Sequence, residues 1–464
     1  RIGSLAVGKD ADFAVLSAVA RWDGSLRGLY AVPEIDGRPL ASLSLLLSER
    51  LWARGGGTAE VTWSEFGATW LRIENLVYLL IAAAALRGVL QKALQPFLGA
   101  EQARSAGVTA ALFLFLHPLG VSTAAQVAER GELMAAASGA LSMGFFLKAR
   151  QDRAPRIMLA AVLLALVAAF AGRIAYLLPP LAGLLEFLSA RRHRPIGARL
   201  RTALVTAVVC LALVSIEWVL RHRFAPETLG PPLGPWRQLG GVALALEKLG
   251  VLLLPVDTYG IGKVGYALAV IALLLALHPG FVAARSAPRL WGRILLGWAA
   301  ALILAEVYSL GRRVEPGSLA GSQVLFPATF VMAVGSAIAA TAIHGVRRTL
   351  IPAVVCVAFA LLGRGHARPF ERAADRVTEL RRNLVEQAQA RDWKTGFFLL
   401  DFPDQVAGVR PLEGAVRHLL DPMFLYEVTP RPPRQPWLGA GNAGAFALFS
   451  AEPEFRRQCQ RGLV

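Results

Sequence analysis

The sequence predicts an all-α polytopic membrane protein with about ten transmembrane helices and a small extracytoplasmic α/β tail. Hydrophobic residues make up 55% of the 464 residues and charged residues only 17%, unlike the balance of a soluble globular chain. Several apolar stretches reach the roughly 20 residues that a helix needs to cross a bilayer. The predicted spans lie at residues 71–94, 106–127, 131–147, 157–190, 202–220, 262–284, 294–310, 323–343 and 349–363.

The stretch 157–190 is too long for a single span. Gly172, Arg173 and the Pro179-Pro180 pair interrupt it, and glycine and proline are strong breaks in helical segments. We therefore expect a tight helical hairpin here, which brings the number of spans to about ten.

The short basic loops predict the orientation. Cytoplasmic loops are enriched in arginine and lysine, and each basic loop is separated from the next by an even number of predicted spans. All of them therefore lie on the cytoplasmic side, at residues 148–156, 190–201, 284–293 and 344–348. We expect a multi-pass protein of the bacterial inner membrane whose N- and C-terminal regions are extracytoplasmic.

This topology divides the chain into three regions. Residues 1–70 form an N-terminal segment and first outer loop, residues 71–363 the transmembrane domain, and residues 364–464 an extracytoplasmic C-terminal region. The outer loop 221–261 contains an apolar helix at 239–254 that we expect to lie in the outer leaflet. Because residues 1–70 contain no predicted span, we expect an upstream helix that starts their translocation.

Charge and cysteine content exclude several classes of protein. The net charge is +17, but the basic residues form no single face or helix, so the predicted partners are membrane lipids and not nucleic acid. Three cysteines provide neither a disulfide framework nor a metal-ligand spacing. No metal site is predicted from these residues.

Residues 1–16 read RIGSLAVGKDADFAVL. They resemble the closing strand-turn-strand hairpin of metal-dependent amidohydrolases, where a G-S-x-x-x-G-K-x-A-D-x-x-V-L pattern is common. None of that family's metal-binding histidine motifs follows, so the segment brings no amidohydrolase chemistry with it. A chance hairpin and a fragment of a neighbouring reading frame are both open explanations, and we expect the segment to be dispensable.

A second resemblance starts at Gly37 with GRPLASLSLLLSERLW, continues with WLRIENLVYLLIAAAAL and FLFLHPLGVSTAAQVAERGELMAAASGAL, and ends with FLLDFPDQVAGVRPLEGAVRHLL after the last span. This order is similar to the polytopic C-class glycosyltransferases that use polyprenyl- or dolichyl-phosphate sugars, specifically the subgroup often joined to tetratricopeptide repeats. The similarity covers roughly residues 20–430. The family's motif positions fall on Arg38, Asn75, His117, Pro118, Arg130, Glu132 and Leu133.

The resemblance implies transfer of a sugar from a polyprenyl-phosphate donor to an extracytoplasmic acceptor. Its catalytic candidates are the carboxylates of Asp23 and Glu132, as base or cation ligand. Its substrate-binding candidates are Arg38 and Arg130, for the donor phosphate, and His117. The cofactor is unknown, with a divalent cation as one option.

The chain also departs from the family pattern. Charged pairs of the family are replaced by Leu16-Ser17, Gly172-Arg173 and Gly321-Ser322. The alternative function is therefore a non-catalytic relative that binds lipid-linked glycan or scaffolds an envelope complex.

Each candidate residue has a plainer structural interpretation. Asp23 stands in an ordinary Asp-Gly turn, Glu132 meets the dipole at a helix N-terminus, and Arg130 is a solvated charge between spans. His117 is a kink histidine bonded to a carbonyl freed by the proline, and Arg38 is an interfacial anchor. One further acid, Glu217, lies within a predicted span, where buried acids are functional suspects.

Overall fold

The computed structural model describes residues 38–53, 68–126, 129–189, 195–224, 252, 325–341, 353–354 and 357–360. Every secondary-structure element in these residues is helical, so the helical class predicted from the sequence is confirmed there. Several predictions concern residues outside the described ranges. They are the α/β tail, the spans at 262–284 and 294–310, the amidohydrolase-like hairpin at 1–16, and the part of the glycosyltransferase resemblance that follows the last span.

The helices follow one another with short breaks. They are α1 Pro39–Ala53, α2 Ala68–Leu98, α3 Ala100–Leu116, α4 Pro118–Ala125, α5 Arg130–Asp152, α6 Pro155–Ala171, a 3₁₀ turn Arg173–Leu177, α7 Leu178–Ser189, α8 Ile196–Phe224 and α9 Phe326–Thr341.

Two of the described helices are long and apolar enough to cross a membrane, namely Trp70–Leu98 and Ile196–Phe224. A third span results if α3 and α4, which meet at a 49° bend, are counted together. Shorter apolar helices include Pro155–Ala171 and Phe326–Ala337. The described part is thus a multi-pass membrane protein, and the predicted total of about ten spans extends beyond it.

The helices pack around α5, which lies against both α2 and α6. Alanines make up much of this core, for example Ala82, Ala136 and Ala168, which are all buried. Small side chains allow helices to approach closely inside a bilayer, where no hydrophobic effect drives helices together. One face of α8, in contrast, exposes apolar side chains such as Leu204 and Val208, as a lipid-facing helix does.

The predicted hairpin at 157–190 is only partly correct. The chain does break at Gly172, but α6 packs on α5 whereas α7 packs on α8. The two arms therefore do not form a tight pair, because the intervening 3₁₀ turn directs α7 to a different neighbour. Pro179 and Pro180 do not break a helix, since they lie in the first turn of α7, where proline costs no hydrogen bond.

Helix α1 is an element that the sequence did not predict. Residues 1–70 were expected to form a segment and loop without a span, but Pro39–Ala53 is a helix. It packs against α5 and α6, and Arg38, Ala41 and Leu45 are buried at this contact. The part of the first outer loop that the structure describes is thus built into the helical bundle.

The orientation predicts a labelling pattern. Arg153 stands at the exposed turn between α5 and α6, in a loop expected to be cytoplasmic. In a background without the three native cysteines, we expect Arg153→Cys to react with a membrane-impermeant thiol reagent only after the cells are opened. Arg223→Cys lies near the C-terminal end of α8, which is extracytoplasmic in the predicted topology. It should react in intact cells. Labelling of Arg153→Cys in intact cells would contradict this topology.

Candidate functional site

The site begins with two glycines that bring the start of α5 against the end of α6. A Cβ on Gly131 would lie 2.4 Å from the Ala171 carbonyl oxygen, and one on Gly172 would lie 2.6 Å from the Gly131 carbonyl oxygen. Only hydrogen atoms fit at such distances. The backbones of α5 and of the α6 terminus therefore touch directly, which places the next side chain, Glu132, beside the 3₁₀ turn.

Glu132 uses this contact to cap the 3₁₀ turn. One carboxylate oxygen accepts the Arg173 N–H at 2.8 Å, and the other accepts the Ile174 N–H at 2.9 Å. These N–H groups belong to the first turn of a helix, where they otherwise have no partner. Glu132 therefore lies in the first turn of α5, as the plainer interpretation held, and its carboxylate also caps the 3₁₀ turn.

A buried ion pair lies next to this cap. Arg38 Nη1 is 2.9 Å from Glu217 Oε2, and their side chains are only 3% and 0% exposed. The same nitrogen points at the Ala169 carbonyl oxygen at 3.5 Å, and the Tyr176 hydroxyl donates to Glu217 Oε2 at 3.3 Å. The pair joins the start of α1 to α8, because charges at membrane depth are costly unless they are paired.

Two further features make this cluster unusual. Among the described residues, neither Arg38 Nε nor Glu217 Oε1 has a hydrogen-bond partner, although both atoms are buried. A second arginine, Arg221, is also buried on α8, and both arginines attract the Glu132 carboxylate. We call Arg38, Glu132, Tyr176, Glu217 and Arg221 the polar cluster.

Arg130 forms a separate network. Its Nε donates to Asn75 Oδ1 at 3.1 Å, and its Nη1 donates to the Ser48 and Ser44 hydroxyls at 2.9 and 3.3 Å. Its Nη2 donates to the Leu71 carbonyl at 3.4 Å and to Glu74. These acceptors match the five N–H donors of a guanidinium, and they connect α1, α2 and α5.

Neighbouring bonds complete this network. Ser48 donates to Glu74 at 2.6 Å, and the Asn75 amide donates to the Gln126 carbonyl at 2.9 Å. Arg130 is 0% exposed, so its interpretation as a solvated charge is wrong. Binding of the donor phosphate by Arg130 stays a prediction, and it would require Arg130 to give up protein partners.

His117 occupies the bend between α3 and α4, and it is completely buried. Its Nδ1 accepts the Leu119 N–H at 3.2 Å, while Nε2 lies 3.3 Å from the Leu252 carbonyl oxygen. A nitrogen that accepts carries no proton, so Nε2 bears the hydrogen and the ring is neutral. The carbonyl partner is that of Leu252, and not one freed by Pro118. The rings of Phe113 and Phe359 pack on the imidazole.

Of the predicted site residues, the structure brings Arg38 and Glu132 together. Arg130 and His117 each lie in surroundings of their own, and Asp23 lies outside the described residues. Within the described ranges, no group of three or more histidine, cysteine or acidic side chains could hold a metal ion.

Sequence reasoning missed Tyr176 and Glu74 and did not pair Glu217 with Arg38. One signal for the Arg130 network was available, because Ser44 and Ser48 are four residues apart and share a helix face. Glu217 was already a suspect as an acid inside a span. Its partner could not be found, since Arg38 is distant in the sequence.

The described helices and the polar cluster define a helical multi-pass membrane protein with buried charges at one end of the bundle. No protein-family model and no curated protein matches this chain. Among solved structures, it is similar to ArnT from Cupriavidus metallidurans in the apo state, with 14% identity, coverage of 86% of this chain and 78% of that chain, and a TM-score of 0.43. A likeness at this level establishes neither a family nor an activity.

Proposed function

We propose that this protein is a glycosyltransferase-like membrane protein that transfers a sugar from a polyprenyl-phosphate donor to an extracytoplasmic acceptor. The observation that carries the proposal is the buried Arg38–Glu217 pair beside Glu132. These residues lie at the end of the bundle opposite the basic turn at Arg153, which is the outer end in the predicted topology. The proposed location is the bacterial inner membrane, with membrane lipids as further partners.

The chemistry assigns each group a task. The acceptor oxygen attacks the anomeric carbon, the bond from that carbon to the phosphate oxygen breaks, and the configuration inverts. A carboxylate takes the proton of the acceptor, and the bond electrons leave with the phosphate. Arg38 suits the leaving phosphate because its planar fork matches phosphate geometry and retains its charge. A divalent cation would serve the same purpose.

The base is one of two carboxylates in this proposal. Glu132 is held in place by two backbone N–H groups, and each of its oxygens keeps a second lone pair. Asp23, in the first outer loop, is the other candidate. Glu132→Gln separates them, since it should lower turnover by roughly 10²-fold or more if Glu132 is the base.

A second candidate function has an observation of its own in its favour. Both oxygens of Glu132 already accept backbone N–H groups, and Arg130 is engaged by protein acceptors. Groups that are committed to holding helices together suit a non-catalytic relative. Such a protein would bind lipid-linked glycan or scaffold an envelope complex without transferring sugar.

The donor-binding role of Arg38 predicts a measurable effect. We expect Arg38→Lys to weaken binding of a polyprenyl-phosphate sugar about tenfold, because a point charge replaces a two-pronged donor. Binding and transfer are measured on purified protein in lipid nanodiscs, with Arg104→Lys on the exposed face of α3 as the matched control. Equal binding by both variants would refute the role of Arg38. If the unaltered protein binds the donor but transfers no sugar, the enzymatic function is refuted and the glycan-binding function is favoured.

A further inference from the structure

Helix α8 has arginines at both ends of a long apolar stretch. Arg199 and Arg221 are separated by about six helical turns, or roughly 33 Å along the helix axis. This length is close to the ~30 Å thickness of the hydrocarbon core of a bilayer. Arg199 therefore lies at the boundary between lipid tails and head groups, at the end of α8 that is cytoplasmic in the predicted topology.

A glycine contact fixes how α7 and α8 meet near this boundary. A Cβ on Gly183 would lie 3.0 Å from the Ala203 carbonyl oxygen and 3.1 Å from the Ala207 Cβ, so the two helices touch here. Phe187 follows Gly183 by about one turn, and Arg199 precedes Ala203 by about one turn. Because the two helices run antiparallel, both steps lead to the same end of the pair, where Phe187 and Arg199 meet.

Phe187 holds the Arg199 guanidinium in place. The guanidinium carbon lies 4.4 Å from the centroid of the Phe187 ring, which is a cation–π contact. Nη2 gives one of its two N–H groups to the Phe187 carbonyl at 2.8 Å. Nε is buried and has no hydrogen-bond partner among the described residues, so Nη1 and Nη2 form the edge that a ligand can reach.

The charge of Arg199 has no carboxylate beside it. Among the described residues, its guanidinium bonds to the Phe187 carbonyl and stacks on the Phe187 ring, and it pairs with no acid. Arg150 on α5 differs, since it pairs with the buried Glu186 on α7. A charge at the edge of the hydrocarbon core normally reaches water or pairs with an anion. The position of Arg199 therefore suits an anion from outside the protein.

The cytoplasmic ends of α5 to α8 have an excess of positive charge. Residues 148–156 contain four lysines and arginines and one acid, and residues 186–201 contain five arginines and one acid. Nine basic residues are thus accompanied by only two acids. Basic clusters next to the cytoplasmic leaflet attract its anionic lipids.

An apolar row on α8 continues from this position into the membrane. Ile196, Leu200 and Leu204 are 72%, 61% and 63% exposed, and they follow one another at intervals of four residues, which places them on one face of the helix. A lipid whose head group reaches Arg199 can lay an acyl chain along this row. Inorganic phosphate has no such chain, so the charge and the apolar row together suit a phospholipid.

We propose that Arg199, held on Phe187, binds the phosphate of an anionic phospholipid in the cytoplasmic leaflet. Nη1 and Nη2 donate to the phosphate oxygens, a geometry that the planar guanidinium matches. The surrounding basic residues favour a lipid with a net negative charge over a zwitterionic one. This site is independent of the proposed sugar transfer, because it lies at the opposite end of the bundle from the polar cluster.

The test is thermal unfolding of the lipid-depleted full chain in detergent, followed through its 10 tryptophans. Phosphatidylglycerol, phosphatidylcholine and inorganic phosphate are titrated separately. A ligand that binds the folded state raises its stability, so we expect half-maximal stabilisation at a concentration of phosphatidylglycerol about tenfold lower than that of phosphatidylcholine. An equal response to phosphatidylcholine, or to inorganic phosphate, would overturn the assignment to an anionic lipid.

Two variants of α8 separate a site from a general effect of charge. Arg199→Gln should need about tenfold more phosphatidylglycerol for half-maximal stabilisation, because charged hydrogen bonds to the phosphate are lost. Arg201 is exposed on the same helix, so Arg201→Gln removes the same charge but keeps the contact between Arg199 and Phe187. It should respond as the unaltered chain does. Equal shifts in the two variants would overturn the site.

Phe187→Leu covers the case in which Arg199→Gln does not fold. This variant keeps every charge but removes the ring that orients the guanidinium, so phosphatidylglycerol should bind roughly 2- to 5-fold more weakly. The compared quantity is the lipid concentration at half-maximal stabilisation and not the unfolding temperature, which separates lipid binding from a purely structural effect. An unchanged response of Phe187→Leu would contradict the proposal.

Discussion

An Arg130→Ala variant is expected to lose about 3 kcal/mol of unfolding free energy, the lower end of the usual effect of removing one partner from a buried ion pair, because the Glu74 side chain is 25% exposed. Glu74 loses its charge partner, and Asn75, Ser44 and Ser48 lose a donor. These groups belong to α1 and α2, so the loss affects the attachment of α1 as well as the local bonds. Lysine at this position would restore the charge but not the five donors.

The measurement is unfolding of the purified protein by increasing sodium dodecyl sulfate, with limited proteolysis of α1 as a second readout. Arg104→Ala is the control, because Arg104 is exposed and surface substitutions change stability by roughly 0.5 kcal/mol or less. We expect faster cleavage within Pro39–Ala53 only in Arg130→Ala. Equal stability of the two variants would show that the Arg130 network does not hold α1.

Gly131→Ala is the second substitution with a large expected effect. The new Cβ would meet the Ala171 carbonyl oxygen at 2.4 Å and the Ala41 Cβ at 3.2 Å. Backbone atoms cannot rotate away as a flexible side chain can, so α5 and α6 must separate. We expect a loss of about 3 kcal/mol, the upper part of the usual range for overpacking.

Separation of these helices also removes the Glu132 cap, since Glu132 reaches Arg173 and Ile174 only across this contact. Amide hydrogen exchange in the 3₁₀ turn should therefore increase in Gly131→Ala. Gly88→Ala is the matched control: its Cβ would meet nothing within 4 Å, and alanine is the better helix former by up to about 1 kcal/mol. If both variants were equally stable, the close backbone contact would not exist.

The agreement between predicted and observed helices follows from local physics. The predicted span 202–220 lies within Ile196–Phe224, and 131–147 lies within Arg130–Asp152. The bilayer thickness sets how many apolar residues a spanning helix needs. Such a helix can therefore be predicted from its own segment of sequence, without knowledge of its neighbours. These two helices are longer than the predicted spans, since they continue past the apolar core into charged residues.

The packing of these helices could not be found in the same way. The segment 157–190 has the length and breaks of a hairpin, but α7 lies on α8. Helix α1 is a short apolar helix. Its burial depends on the contacts that Arg38 and Arg130 make with acceptors on other helices. In a bilayer every apolar face is compatible with lipid, so hydrophobicity alone does not choose a neighbour.

The sequence by itself determined that this is a helical membrane protein, where most of its described helices run, and that Glu217 is an acid inside a span, where charge is costly. Only the tertiary structure decided that Arg38 and Glu132 lie beside it and how these charges are stabilised: Arg38 and Glu217 by each other, and Glu132 by the N–H groups of Arg173 and Ile174. The reason is physical. The cost of burying a charge depends on the local medium, which composition reveals, whereas its partner depends on which distant helices touch.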